Sequence, residues 1–377
     1  MSSSADGLRS VHDYQVMAEK LLPEPYLSYY TYPGLSRQTY RDSLAAFSRY
    51  RFRPRTLSDV SRRCLSTTVL GQPISIPIGA SPTAIHSLAH KDAEIATAKG
   101  VAAANTVMIQ SCYSNKTIPD VAASAPDGLR WMQTYLFKDR RIVEHIIRTA
   151  EVAGHKAIVF TVDSPMSGLD SGYDRDFELF NEEQQKYSNI DIGLPEFKEA
   201  RKQGARGIVR YHRNQFDPSL TWDDVKWFRR LSTLPIVCKG ILTAEAARQA
   251  ADAGVDGILV SAHGGRQLDG VPAPIDALAE VVEAVRGRNV EVYMDGGVRT
   301  GADVLKALAR GAKAVFIGRP ILWGLTCRGS SGVQHVFDIL QQELDYAMAL
   351  CGCSDVNSIP SDIVVHKSYY HIPKHRL

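Results

Sequence analysis

No apolar run in this 377-residue chain approaches the length of a bilayer span, and Met1-Ser2-Ser3-Ser4 leads into no apolar stretch of the secretory kind. Neither a membrane span nor a signal peptide is therefore expected. Blocks of like charge are missing too: a net charge of +3 spread along the chain gives no reason to expect a nucleic-acid partner. Cysteine is sparse, and its six positions (Cys64, Cys112, Cys238, Cys327, Cys351, Cys353) lie mostly in apolar surroundings, which suits reduced intracellular thiols. Cys351-Gly352-Cys353 lacks the second half of a zinc site, so no metal is expected. What is present is 44% hydrophobic and 23% charged, the balance of a globular chain able to bury a large core.

From about residue 76 a rhythm sets in, a short apolar run followed by a helical stretch of ten or more residues. The runs are Ile76 to Pro82, Val107 to Ser111, Leu129 to Phe137, Ala157 to Asp163, Pro235 to Lys239, Gly257 to His263, Glu291 to Gly297 and Ala314 to Arg319. Eight strand–helix units are what a (β/α)8 TIM barrel requires, and barrels of about 250 residues or more commonly stand as one domain. Asp139 and Thr243 are placed to open helices that stop at Gly154 and Gly254. The expected organisation is an α/β chain in three parts, the second carrying a long insertion. Residues 1–75 form a mostly helical segment packed on the barrel, its first helix running from Val11 to a stop at Leu22-Pro23. Residues 76–353 form the barrel, with a last amphipathic helix from Gly332 to Leu350. Residues 164–221, a charged connection of about sixty residues after strand four, are too long for an ordinary loop and are expected in part to close over a site. Residues 354–377 are a polar tail.

The stretch that promises chemistry is Ser261-Ala262-His263-Gly264-Gly265-Arg266-Gln267-Leu268-Asp269-Gly270, which follows the buried run Gly257 to Val260. Catalysis in barrels is done at the C-terminal ends of strands. There an imidazole that takes a proton and a guanidinium that holds a carboxylate suit a 2-hydroxy acid, whereas a Gly-rich turn with a solvated arginine is the plainer account. The other strand ends carry Pro82-Thr83-Ala84, Ser111, Gln133 with Tyr135, Thr161 with Asp163, Lys239, Asp295-Gly296-Gly297-Val298-Arg299 and Gly318-Arg319. The last two pair glycine with arginine after strands seven and eight, where barrels build phosphate sites. Among Tyr26, Tyr29, Tyr30 and Tyr32, packing is the commoner role, although Tyr29 offers a hydroxyl to a pocket.

Taken together, Pro82-Thr83-Ala84, Gln133-x-Tyr135, Thr161-x-Asp163, Lys239-Gly240, Ser261-x-His263-Gly264-x-Arg266-Gln267-Leu268-Asp269, Asp295-Gly296-Gly297-Val298-Arg299 and Gly318-Arg319-Pro320 closely resemble the FMN-dependent α-hydroxy acid oxidases. The resemblance runs from about Val11 to Ser354. It implies FMN at the barrel mouth, with Asp295, Gly296, Gly297, Val298, Arg299, Gly318 and Arg319 on its phosphate and ribityl side. Pro82, Thr83, Ala84, Ser111, Gln133, Thr161, Lys239 and Ser261 would line the flavin. Tyr29, Tyr135, His263 and Arg266 would face a small-molecule substrate, Asp163 would hold the imidazole, and O2 would be the second substrate, reduced to hydrogen peroxide. Lys239 beside the flavin would favour the reduced form. Carbanion and hydride descriptions both use His263 as the base. A homotetramer is implied as well. His375-Arg376-Leu377 resembles a C-terminal peroxisomal address, with histidine a looser fit than serine, and an accidental basic tail is equally open.

Four departures bear on substrate. Asp170 stands where the family has a second substrate arginine, and loss of a charge-assisted hydrogen bond of roughly 1.5–3 kcal/mol predicts weaker binding of small hydroxy acids. Arg175 lies five residues on. Ala262 replaces the usual Asn before the histidine, Tyr113 stands where Trp is common, and Tyr32-Pro33-Gly34-Leu35 differs from the family's turn. The reading is thus an oxidase of altered preference, set against a flavin-binding protein without turnover, a form acting on substrates without a free carboxylate, and a flavin-free phosphate-binding barrel.

Overall fold

A computed structural model describes residues 7–32, 34–167 and 177–371. Eight strands close a barrel in strict chain order: Ile78–Ala80, Val107–Ser111, Leu129–Thr134, Ile158–Thr161, Ile236–Ile241, Gly257–Val260, Glu291–Asp295 and Ala314–Ile317. All neighbours are parallel, and the last strand meets the first through Val315 opposite Ile78 and Ile317 opposite Ala80. Seven of the eight strands fall inside the apolar runs, the fifth passes two residues beyond its run to Ile241, and strand two spans the same five residues. Asp139 and Thr243 cap helices Arg140–Val152 and Ala244–Asp252, their side chains accepting from the N–H of Arg141 and Ala246.

Alternation along the strands explains what the barrel encloses. Val107, Ile109, Trp131, Val159, Val237, Leu259, Tyr293 and Phe316 form one buried cluster in the lumen. Two positions onward, on the same side of their strands, stand Ser111, Gln133, Thr161, Lys239 and Asp295, so the period-two rule converts an apolar floor into a polar mouth. Gly79 makes room for this packing, since a Cβ there would lie 2.6 Å from the Phe316 ring.

The N-terminal segment departs from expectation in its second half. Helices Val11–Leu21, Glu24–Thr31 and Gln38–Ala45 are present, but Tyr50–Phe52, Thr67–Val69 and Gln72–Ile74 are short strands. The latter two form a hairpin whose Val69 and Ile74 plug the floor of the barrel. Three-residue strands are too short to show a period, so nothing in the sequence marks them. Tyr50–Phe52 pairs antiparallel with Val364–His366, which ties part of the polar tail to the N-terminal segment. The final helix also begins earlier than expected. Arg319–Cys351 is helical apart from Arg328 and Gly329, and the positive φ of Gly329 (58°) turns the chain between its two halves. The long connection contains helices Pro195–Lys202 and Gly204–Gln215. Among the described residues no helix is long and apolar enough to cross a membrane.

Candidate active site

Above the polar layer opens a cavity of about 650 Å³, within the range of cofactor and small-ligand sites. Pro82, Thr83, Ala84, Ser111, Gln133, Thr161 and Lys239 line it, with Asp295 through Arg299, Gly318 and Arg319. Gln133 Nε2 donates to Thr161 Oγ1 at 3.0 Å, and its Oε1 accepts from the N–H of Cys112 at 3.3 Å. Lys239 Nζ lies 3.9 Å from Asp295 Oδ2, which also accepts from the Ser81 hydroxyl at 2.9 Å. Asp295 Oδ1 is buried without a partner.

His263 stands at the centre. It, Gly264 and Gly265 all have positive φ (53°, 63° and 75°), a conformation glycine adopts freely but histidine adopts only under constraint. That turn aims the ring at the fourth strand end. Nδ1 lies 2.9 Å from Asp163 Oδ1, and an ionised carboxylate only accepts, so Nδ1 carries the proton and Nε2 offers its lone pair. The Tyr135 hydroxyl is 3.5 Å from Nε2. Burial is the largest influence on Asp163 and pushes its pKa up, but the charge and hydrogen bond of His263, with Lys239, outweigh it and hold the carboxyl below its ordinary value. Burial raises Tyr135 well above the usual phenol, aided by Cys112 and Asp163, so it stays a hydroxyl donor. Burial also raises Tyr29, although Arg266 opposes it.

One expected lining residue does not reach the cavity. Ser261 is fully buried, and its hydroxyl accepts from the N–H of His263 at 3.0 Å, shaping the turn from below while Ala262 meets the cavity. Arg266 does reach it, with Nη1 donating to the carbonyls of Tyr29 (2.6 Å) and Tyr32 (3.3 Å) and the guanidinium 5.1 Å from the Tyr29 ring centre. Asp170 and Arg175 lie outside the described residues, as do Pro33 and His375-Arg376-Leu377.

Behind the turn the site gathers positive charge. Arg319 Nε donates to the Tyr30 carbonyl (2.8 Å) and Nη1 to that of Gly264 (3.0 Å), while Nη2 is buried without a partner. Burial pulls the Arg319 pKa down to about 9, with the neighbouring charges of Arg266 and Arg299 adding to the fall and Tyr40 opposing it. Burial likewise lowers Arg299. Crowded guanidiniums with an unmet donor call for an anion. Gly297 (φ 81°) keeps the backbone close, since a Cβ there would lie 2.1 Å from the Ser43 carbonyl oxygen. These residues fit FMN: a cationic end for the phosphate, then a row of hydroxyl, amide and ammonium groups above the apolar floor.

Several contributors had no local signature. Tyr40, from helix Gln38–Ala45, lies under the Arg319 guanidinium at 4.7 Å. Fully buried Glu94 accepts from the N–H groups of His86, Asn115 and Lys116, joining the loops after strands one and two, and His86 in turn bonds the Thr83 hydroxyl. Tyr187, Val209, His212, Arg213 and Phe216 bring the long connection to the cavity wall. Asp269 is a staple: its carboxylate accepts from Ser36 Oγ (2.6 Å) and the N–H groups of Ser36 (3.0 Å), Thr39 (2.8 Å) and Gln38 (3.3 Å). Helix Gln38–Ala45 has no side-chain cap of its own, so Asp269 supplies one from the segment that follows His263.

Those bonds, Ser36 first, hold Asp269 well below the ordinary carboxylate range. A depressed folded pKa contributes stability that is full above the unfolded value of about 3.9 and is lost as pH falls through the folded one. The gap in urea midpoint between the wild type and Asp269→Asn is therefore expected to hold steady from pH 8 to 5 and to shrink below pH 4. A gap unchanged down to pH 3 would mean that the charge of Asp269 does not matter.

Comparison with known proteins follows this geometry. The family model for FMN-dependent dehydrogenase matches residues 18–366. The chain is 46% identical over 357 residues to 2-hydroxyacid oxidase 1 of Homo sapiens, covering 94% of this chain and 95% of that one. It is 45% identical to a peroxisomal (S)-2-hydroxyacid oxidase of Arabidopsis thaliana, covering 94% and 95%. A soluble mutant of (S)-mandelate dehydrogenase from Pseudomonas putida superposes with a TM-score of 0.86 at 32% identity, covering 95% of this chain and 99% of that one. This chain, a closed barrel with a cationic, glycine-lined cavity and a histidine–aspartate pair at its mouth, matched over residues 18–366, belongs to the FMN-dependent dehydrogenase family.

Proposed function

We propose that this protein oxidises a 2-hydroxy acid to the 2-oxo acid and reduces O2 to hydrogen peroxide. The observation that carries this reading is the 2.9 Å contact between His263 Nδ1 and Asp163, which leaves Nε2 beside the Tyr135 hydroxyl in the cavity. Bound FMN would supply the acceptor for two electrons and pass them to O2. His263 Nε2 takes the proton lost from the substrate, and Asp163 stabilises the imidazolium that results. Arg266 attracts the substrate carboxylate with the donors not committed to backbone carbonyls, and Tyr29 and Tyr135 hydrogen-bond the substrate oxygens. Lys239 offsets negative charge arriving at the cofactor. Two further readings rest on resemblance: a tetramer, and a peroxisomal location, which the name of the Arabidopsis relative supports.

The test is to add glycolate, lactate and a longer 2-hydroxy acid to the yellow protein without oxygen. Bleaching by at least one, and peroxide on readmitting air, is expected. A flavin that no member of a broad panel bleaches would leave a binding protein without turnover.

A further inference from the structure

His212 belongs to none of the roles above, yet it lines the same cavity. It is 5% exposed, and neither Nδ1 nor Nε2 has a hydrogen-bond partner. A buried polar group left unmet is costly, and each one calls for a ligand or a reason. Its neighbours are rings: Tyr187 at 4.3 Å between centroids, Phe197 and Tyr211 at 5.5 Å, and Tyr113 at 5.7 Å. Tyr113 in turn packs on Tyr135 at 5.8 Å, and Tyr135 stacks near His263 at 6.4 Å. Two tyrosines thus stand between the base and His212. A substrate with its 2-hydroxyl at His263 would present its far end, not its reacting end, to His212.

We infer that His212 is a specificity-determining residue, recognising a neutral hydroxyl or phenol at the end of the side chain of an aromatic or long apolar 2-hydroxy acid. The inference rests on the proposed oxidation. Aromatic walls from Tyr113, Tyr187 and Phe216 suit the edge of an aryl ring or an alkyl chain. Burial pulls His212 down to about 3, so its imidazole is neutral at working pH, with one donor and one acceptor. That pair matches a hydroxyl, which also donates and accepts. A site built to bond a hydroxyl discriminates against the analogue lacking it, because its own polar atoms are then left unmet.

The probes are 3-phenyllactate and 3-(4-hydroxyphenyl)lactate, compared by kcat/KM on the FMN-loaded enzyme, with calorimetric Kd values for the two corresponding 2-oxo acids as a readout free of turnover. The hydroxylated member is expected to be favoured roughly tenfold in both measurements. His212→Phe, which keeps a ring in the aromatic box, should erase the preference, whereas His212→Asn, which keeps a donor and an acceptor, should retain part of it. Equal values for the two probes in the wild type would overturn the inference even if no variant folds, and would make His212 a packed histidine satisfied by ring faces. A preference that survives in His212→Phe would overturn it as well. Failure of both hydroxy acids, and of the broad panel, to reduce the flavin would instead sink the underlying reading, and this inference with it.

Discussion

His263→Ala is expected to slow anaerobic reduction of the bound flavin by roughly 10²–10⁴-fold, the contribution typical of a positioned general base, while the protein stays yellow. The retention of colour follows from the layout: Arg319 holds the turn through the backbone carbonyl of Gly264, and Gly297 belongs to another strand end, so a change of side chain at 263 leaves both in place. The backbone complicates a simple alanine substitution, because His263 has a φ of 53° and alanine tolerates that region no better than histidine. His263→Asn resolves the matter, since asparagine is enriched in the left-handed region yet offers no base near neutral pH. Both variants should reduce equally slowly in rapid-mixing experiments. Near-normal reduction in His263→Asn would show that the turn matters and the imidazole does not.

The second large effect concerns Arg319. Arg319→Met should weaken FMN binding by roughly 10- to 150-fold, the equivalent of one charge-assisted hydrogen bond of about 1.5–3 kcal/mol, and should leave riboflavin binding nearly unchanged. Riboflavin lacks the phosphate, so the ratio of the two affinities isolates the anion contact from general damage. This control is needed because Arg319 also holds the carbonyls of Tyr30 and Gly264, and methionine abandons both. Quenching of flavin fluorescence on titrating apoprotein measures each affinity. A parallel fall for FMN and riboflavin would make Arg319 a structural clamp and move the phosphate elsewhere.

How much of this was legible in the sequence depended on range. The barrel strands were readable because each is a continuous apolar run between helices, and the mouth residues because they end those runs. The turn at His263 was readable from Gly264-Gly265 beside it. Ser261 was not: whether a serine at a strand end faces the cavity or turns under the next residue depends on the local twist, which composition does not encode. Tyr40, Glu94 and His212 were invisible for another reason. Each sits in an ordinary helix, and only the folded barrel brings them to Arg319, the mouth loops and the aromatic wall.

The staple between Asp269 and Ser36 sets a clock on the making of this protein. Its two ends are 233 residues apart in the chain. At about 5–20 residues per second of synthesis, the segment carrying Tyr29, Tyr30 and Tyr40 waits on the order of 10–50 seconds before the turn that anchors it exists. The strand carrying Asp295 and the helix carrying Arg319 emerge later still. A growing chain therefore has no complete place for its cofactor until Arg319, 283 residues after Ser36, has emerged.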